Sequence, residues 1–303
     1  MIAVDWGTSS LRIYRLDETG AIRARREAPA GIMTVAADGF AATLEAQLGD
    51  WIDDTPIVMS GMIGSRQGWR EVPYAECPSG AADIARLMQK IEWGNGRRAW
   101  IAPGLSCRDG SGVPDVMRGE ETQIIGAAAE LPATGAATIC LPGTHSKWVR
   151  WRDGGIAGFA TAMTGEVFAV LRRHSILGRL MAEGDAHDSA TFAAGLRRAD
   201  EAGGLLHHLF GARTRGLVGE VSESALPSYL SGILIGHEIA ALAPQGERDA
   251  AGVIHLIGAA GLVSLYREAL AGCGRDSRII DSDCVARGLF LLAAHLPSGS
   301  SDG

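Results

Sequence analysis

This sequence lacks the marks of a nucleic-acid or membrane protein. It carries 28 Lys and Arg against 35 Asp and Glu, so there is no basic excess to meet a phosphate backbone. No apolar run approaches the ~20 residues that a membrane span needs. The opening MIAVDWG has no basic region leading into an apolar stretch, so it does not read as a secretory signal. Cysteine is sparse. Cys77, Cys107, Cys140, Cys273 and Cys284 form no C-x-x-C pair and have no metal-ligand spacing to a histidine. His207 and His208 project in different directions from a helix and make a poor metal pair. An odd cysteine count without a framework fits a reducing compartment, so a cytoplasmic protein is expected. What remains is ordinary for a soluble chain: 47% hydrophobic and 21% charged residues, in a length of 303 that suits two medium domains.

What is present begins with short strands and polar turns. Ile2 to Val4, Leu11 to Leu16 and Ala21 to Glu27 read as strands, separated by Gly7-Thr8-Ser9-Ser10 and Glu18-Thr19-Gly20. Phe40, Leu44, Leu48 and Trp51 have helical spacing. Ile57-Val58-Met59 is a buried strand that runs into a glycine-rich loop, SGMIGSRQGW, over 60–69.

The opening unit recurs further along the chain. Gly7-Thr8 matches Gly143-Thr144, Ser10 matches Ser146, and Asp17 matches Asp153. Thr138 to Leu141 precedes the second turn as Ile2 to Val4 precedes the first; Lys147 to Arg152 and Ile156 to Met163 follow it as strands. The period is that of a domain, which predicts duplication of a three-stranded layer followed by helices.

Between the copies lies PDVMRGEETQIIGAAAEL (114–131), whose second half is helical, with Ile124, Ile125 and Ala128 on one face and Glu120 and Glu121 in its first turn. Helices are expected over Val167 to Met181, Leu205 to Phe210, Ser228 to Ala243, Leu262 to Ala271 and Val285 to Leu296. Val253 to Ile257 and Arg278 to Ile280 read as strands, the first ending in Gly258-Ala259-Ala260-Gly261. The tail PSGSSDG reads as disordered.

Each Gly-Thr/Ser turn offers glycine for close backbone approach, and hydroxyl and N–H groups for phosphate oxygens. The two turns differ in what precedes them: Asp5 for the first, Leu141-Pro142 for the second. Asp5 is thus the carboxylate that suits a nucleotide-bound Mg²⁺. Alone, D-x-G-T is a common structural turn.

Together these features resemble the superfamily of sugar kinases, actin and Hsp70-type ATPases. Four segments are similar to the 2-dehydro-3-deoxygalactonokinase family: AVDWGTSSLR (3–12), SGMIGSRQGWREVPYAECP (60–78), PDVMRGEETQ (114–123) and LPGTHSKWV (141–149). The resemblance implies an α/β fold of two ribonuclease-H-like domains, each a mixed sheet flanked by helices, with the ATP cleft between them. The N-terminal domain is expected over 1–131, with 286–303 packing back on it, and the C-terminal domain over 132–285. The stretch from about 180 to 225 offers nothing to match.

By the same resemblance Asp5, Gly7, Thr8, Ser9 and Ser10 form the first phosphate hairpin, and Gly143, Thr144, His145, Ser146 and Lys147 the second. Gly258, Ala259, Ala260 and Gly261 are similar to the adenosine-binding turn. Sugar kinases of this superfamily place the carboxylate that takes the hydroxyl proton at the start of the helix before the second hairpin. Glu120 and Glu121 stand there; Glu121 is preferred, Glu120 stays open, and Asp115 is a third candidate. A keto-deoxy sugar acid carries a carboxylate, which favours arginine or backbone N–H groups. Ser65, Arg66, Gln67 and Arg118 are therefore candidate contacts, with Trp69 as a wall. The implied reaction transfers the ATP γ-phosphate, with Mg²⁺, to the 6-hydroxyl of 2-dehydro-3-deoxy-D-galactonate in galactonate catabolism. A kinase for another sugar or keto acid, an ATP-hydrolysing protein or a phosphatase on the same scaffold, and a non-catalytic nucleotide-binding protein stay open. The expected partners are the sugar acid and ATP, with neither nucleic acid nor membrane; a homodimer is compatible with the chain.

Overall fold

A computed structural model describes residues 1–51, 55–94, 96–184, 186–244, 252–280 and 283–296. The tail over 297–303 lies outside the described residues. β1 (Ile2–Trp6), β2 (Leu11–Leu16) and β3 (Ile22–Ala28) form an antiparallel meander. Its second turn closes because the Asp17 carboxylate accepts N–H bonds from Thr19 and Ala21, and Gly20 takes a φ of +82°. α1 (Phe40–Leu48) buries Phe40, Leu44 and Leu48, and Trp51 follows in a 3-10 turn. β4 (Ile57–Ser60) then runs parallel to β1.

The stretch after the 60–69 loop, on which the sequence patterns are silent, folds into β5 (Ala75–Glu76), α2 (Ala81–Arg86), β6 (Gln89–Trp93), β7 (Arg97–Ile101), β8 (Leu105–Arg108) and β9 (Pro114–Met117). β7 joins β4 in parallel, giving a six-stranded sheet in the order β3-β2-β1-β4-β7-β6. α3 spans Glu120–Gly126, and Ala128 falls in a separate 3-10 turn.

The second copy is β10 (Ala136–Leu141), β11 (Ser146–Arg152) and β12 (Gly155–Ala162). α4 (Thr164–His174) stops short of the expected Met181, because the Ser175 hydroxyl bonds the Leu171 carbonyl and accepts from Leu177 N–H, turning the chain. α5 (Ser189–Ala199) was not evident from the sequence, although the Asp188 side chain caps it by accepting from Thr191 N–H. α6 (Gly204–Leu217) runs well past Phe210, and α7 (Leu226–Leu242) is buried along most of its length. β13 (Ile254–Leu256), α8 (Ala260–Gly272), β14 (Ser277–Ile279) and α9 (Cys284–Ala293) complete the chain.

The fold is therefore mixed α/β, and the repeat seen in the sequence reappears in topology. The second sheet has the order β12-β11-β10-β13-β14, with β13 parallel to both β10 and β14. Each sheet thus places its third, second and first strands in that order, followed by two parallel strands reached through crossovers. The chain divides into two compact units. Unit 1 holds Met1–Ala136, Arg150–Phe159 and the described residues from Ile280; unit 2 holds Ala137–Val149 and Ala160–Ile279.

In unit 1, α9 crosses α3 at backbone contact. A Cβ on Gly126 would lie 1.8 Å from the Cys284 carbonyl oxygen, and one on Gly288 would lie 1.8 Å from that of Thr122. This contact fixes the helix whose first turn carries Glu120 and Glu121. Gly288→Ala should therefore destabilise unit 1 by about 1–3 kcal/mol, the usual cost of overpacking, as read from urea unfolding. An unchanged midpoint would show that the helices do not cross this closely.

Candidate active site

Unit 1 gathers most of the predicted catalytic and acceptor residues. The Gly7–Ser10 turn is closed by Gly7 N–H donating to the Ser10 carbonyl at 2.9 Å. Beneath it runs Gly31, where a Cβ would come within 2.3 Å of Ser9 N, a packing role that the sequence reading missed. The turn is further pinned by Ile32 N–H to Gly7 O and by Trp6 Nε1–H to Ala30 O, while Thr8 and Ser9 stay exposed. Rigid backbone with exposed hydroxyl and N–H groups is what a phosphate cradle needs.

Asp5 lies on β1 just before this turn. Burial holds its carboxyl above the ordinary carboxylate range; Arg12, whose Nη1 is 3.4 Å from Oδ2, opposes that shift, and the charge of Glu120 adds to it. Above Asp5 sits Gly61, with a φ of +92°, where a Cβ would lie 2.8 Å from Trp6 O and 3.4 Å from Asp5 Oδ1. Gly119, at φ +108°, faces it so closely that a Cβ would lie 3.3 Å from Gly61 Cα. No side chain fits between these strands' ends, and both left-handed conformations favour glycine. Their approach brings the start of α3 to Asp5.

The two glutamates then diverge. Glu120 is half-buried and its Oε2 accepts from Arg118 N–H at 3.1 Å. Glu121 is fully buried; Oε2 accepts from Gly119 N–H at 2.7 Å, and Oε1 has no partner among the described residues. Burial, reinforced by the charge of Glu120, pushes Glu121 up to about 8. Asp115 stands apart from this pair on β9, opposite Cys107, with Oδ1 accepting its neighbour Val116 N–H.

The acceptor candidates also separate. Ser65 is buried with its hydroxyl unpartnered among the described residues. Arg118 donates Nη2–H to Val72 O at 2.8 Å and stacks 4.3 Å over Tyr74. Arg66 is exposed and lies 3.7 Å from an exposed Glu71, a contact of little worth. Gln67 is exposed. Trp69 packs between Phe40 and Trp93, at ring distances of 6.4 and 5.1 Å, so its faces belong to the core.

Unit 2 carries the second turn beside a cavity of about 750 Å³. Gly143, Thr144 and Gly261 line it, so the second turn and the last residue of the Gly258–Gly261 segment share one space. Gly258 takes a φ of +153° against Pro142, Ala259 caps α8, and Ala260 and Gly261 form its first turn. Thr164, Phe168 and Arg172 of α4 line the same space, as do His187 and Glu268, joined by a 2.9 Å contact. Sequence patterns missed these, because helical residues betray a cavity only when neighbouring elements are placed. Gly165 lets α4 sit on the turn, a Cβ there coming within 2.5 Å of Gly143 O. His145 engages Glu166 through Nε2.

Ser146 and Lys147 point into the protein. The Ser146 hydroxyl lies 2.9 Å from Tyr266 OH, which donates to Glu238 Oε2 at 2.7 Å, while Trp148 Nε1–H donates to Oε1 at 2.8 Å. The buried Glu238, its carboxyl raised by desolvation, thus ties the turn to α8. Lys147 is buried and donates to Thr161 Oγ1 at 2.9 Å. His208 pairs with His237 at 3.0 Å and with Ala202 O, rather than with His207. Among the described residues no cluster of three or more His, Cys, Asp and Glu is placed to hold a metal, and no helix is long and apolar enough to cross a membrane.

Comparison with known proteins gives a consistent result. A family model described as 2-keto-3-deoxy-galactonokinase matches residues 5–292. A Rhizobium meliloti (strain 1021) protein named "Probable 2-dehydro-3-deoxygalactonokinase DgoK1" is 43% identical, covering 96% of this chain and 95% of its own. The 2-dehydro-3-deoxygalactonokinase of Escherichia coli (strain K12) is 32% identical, covering 97% of each. A crystal structure from Sinorhizobium meliloti, named for the same kinase, has 42% identity and a TM-score of 0.89, covering 96% of this chain and 97% of that one.

Glu121 makes stability pH-dependent. Its folded value of about 8 exceeds the ordinary 4.5, so the folded chain holds this proton more tightly than the unfolded chain. The resulting stabilisation is complete below 4.5 and is lost as pH climbs to about 8. In urea titrations, Glu121→Gln should therefore gain on the parent chain across that window and run parallel to it outside. A constant offset between the two chains would show that Glu121 titrates normally.

Proposed function

The chain belongs to the 2-keto-3-deoxy-galactonokinase family, and from that premise we propose that it moves the γ-phosphoryl group of ATP to the 6-hydroxyl of 2-dehydro-3-deoxy-D-galactonate in galactonate catabolism. The observation that carries the reading is the convergence in unit 1 of an open phosphate turn, Asp5 and the first turn of α3. Each of the two units is read as a ribonuclease-H-like domain, since their sheets repeat one strand order. Unit 1 takes the acceptor and the first hairpin. Unit 2 takes the adenosine in its cavity, against Gly258 to Gly261, and phosphate oxygens at Gly143 and Thr144.

In the transfer, the substrate's 6-oxygen forms a bond to the γ-phosphorus while the bond from that phosphorus to the β–γ bridging oxygen breaks, leaving ADP. The hydroxyl proton needs an ionised, accessible carboxylate. Glu121 is sealed from solvent and held in its protonated range near neutral pH, which argues against it as the base. Glu120 is half-buried and close enough to Asp5 for each charge to be felt by the other. We therefore assign the proton to Glu120 and a positioning role to Glu121, which holds Gly119 through its N–H. The acceptor lies against the 60–69 loop.

Mg²⁺ fits the donor set. It keeps waters and nucleotide oxygens and asks the protein for one or two carboxylates rather than a closed cage. Asp5, beside the phosphate turn, would be that hard oxygen ligand. The ion would neutralise charge on the β- and γ-phosphates. The use of ATP favours a cytoplasmic location, and a cysteine spacing without a disulfide framework is compatible with it.

A coupled ADP-release assay should show turnover that depends on the sugar acid. Phosphate release without acceptor would indicate a hydrolase, and ATP binding with no stimulation by any 2-keto-3-deoxy acid would end the kinase reading. Glu120→Gln should lower kcat by about 100- to 10,000-fold with ATP binding intact, whereas Glu121→Gln should keep most turnover. The reverse ranking would return the base to Glu121.

A further inference from the structure

Unit 1 contains buried polar atoms without a partner among the described residues, and two of them belong to one arginine. The Nε and Nη1 of Arg118 are buried and have no hydrogen-bond partner among the described residues; the same holds for the hydroxyl of Ser65. Buried N–H and O–H groups are matched in the great majority of native proteins, so a group of exceptions calls for a cause. A guanidinium is more demanding still, because it stays charged at every relevant pH.

The surroundings hold this guanidinium rather than neutralise it. Val72 O accepts from Nη2 at 2.8 Å, and the Tyr74 ring lies 4.3 Å from Cζ. Two glycines make room for it. A Cβ on Gly64 would lie 3.0 Å from Arg118 Nη1, and one on Gly104 would lie 2.7 Å from the Tyr74 ring. The Arg118 charge acts on the buried Glu121 carboxyl only as the smallest of its influences, and burial outweighs it. Arg118 enters no ion pair among the described residues. A guanidinium held in place with its Nε and Nη1 buried and unmatched among the described residues is built to receive an anion from outside the chain.

We propose that Arg118, with the hydroxyl of Ser65 next to Gly64, binds the carboxylate of the acceptor and so makes the site select 2-oxo acids over neutral sugars. The inference rests on the kinase reading for its acceptor, and it deepens that reading by choosing the anion reader. It also separates Arg118 from Arg66, whose exposed side chain is solvated and faces Glu71. Seating the carboxylate on the residue directly before Gly119-Glu120 fixes the acid end of the acceptor relative to the proposed base. A neutral sugar would leave the guanidinium desolvated and unmatched, which penalises the wrong substrate as well as favouring the right one.

The test compares 2-dehydro-3-deoxy-D-galactonate with its C1 carboxamide, by calorimetric binding and by ADP release, in the parent chain, R118Q, R118K and R66A. The parent should prefer the acid by roughly 10- to 100-fold, the worth of a charge-assisted pair. R118Q should lose that factor on the acid and not on the amide, with KM for ATP unmoved; R118K should recover part of it, and R66A should retain the preference. Equal losses on acid and amide in R118Q would mean a structural role and overturn the proposal, as would erasure of the preference in R66A. If R118Q does not fold, R118K and S65A carry the comparison, and an unchanged acid-to-amide ratio in both overturns it. If the parent binds the acid without turnover, the kinase reading fails while the binding ratios still decide Arg118; no binding of the acid by the parent ends this inference too.

Discussion

The constraint on which the candidate site in unit 1 depends is the meeting of two backbones at Gly61 and Gly119. Neither position tolerates a side chain: a Cβ on one would press the Trp6 carbonyl at 2.8 Å, and a Cβ on the other would press Gly61 itself at 3.3 Å. Both also adopt positive φ, which costs glycine little and other residues much. The end of β4 and the start of α3 therefore come together over Asp5. The rest of the candidate site follows from that approach, because Arg118, Glu120 and Glu121 are the residues flanking Gly119. The contact is reinforced from behind, where α9 meets α3 through Gly126 and Gly288.

Crowding carboxylates at such a point has an electrostatic consequence. Burial raises the proton affinity of Asp5 and of Glu121, and the charge of Glu120 adds to both. The chain resolves the conflict by depth. Asp5 has Arg12 as a partly exposed counter-charge, Glu120 stays half-buried, and Glu121 is sealed and keeps its proton near neutral pH. In the reading proposed above, Glu120 then takes the proton and Glu121 stays in the site as a positioning residue, while Arg118 Nε and Nη1 are left unmatched among the described residues.

Unit 2 shows another use of a buried acid. Glu238 accepts from Tyr266 and Trp148, and Tyr266 meets Ser146, so one carboxylate on α7 fastens the second turn to the helix behind the cavity. Among the described residues both oxygens of Glu238 are matched, whereas Nε and Nη1 of Arg118 are not. A satisfied network rigidifies, and an unsatisfied one awaits a partner; this contrast in hydrogen bonding distinguishes scaffold from binding surface within one protein.

The sequence by itself determined the local elements and the repeat. Alternating apolar runs, Asp17-Gly20 and Asp153-Gly154 are short-range signals, and strand and turn chemistry acts over a few residues. It also placed Asp5, the two glutamates and both glycine turns in the right kinds of element. Tertiary structure alone decided which of these residues face solvent and which face the core. Trp69 was absorbed between Phe40 and Trp93, Lys147 was turned inward to Thr161, and Glu121 was sealed while its neighbour was not. The cavity lined by Phe168, Arg172 and His187, and the short α5 beyond it, were likewise illegible, since their packing partners lie many residues away. Burial is a sum over distant neighbours, and a residue's own letter and spacing do not contain that sum.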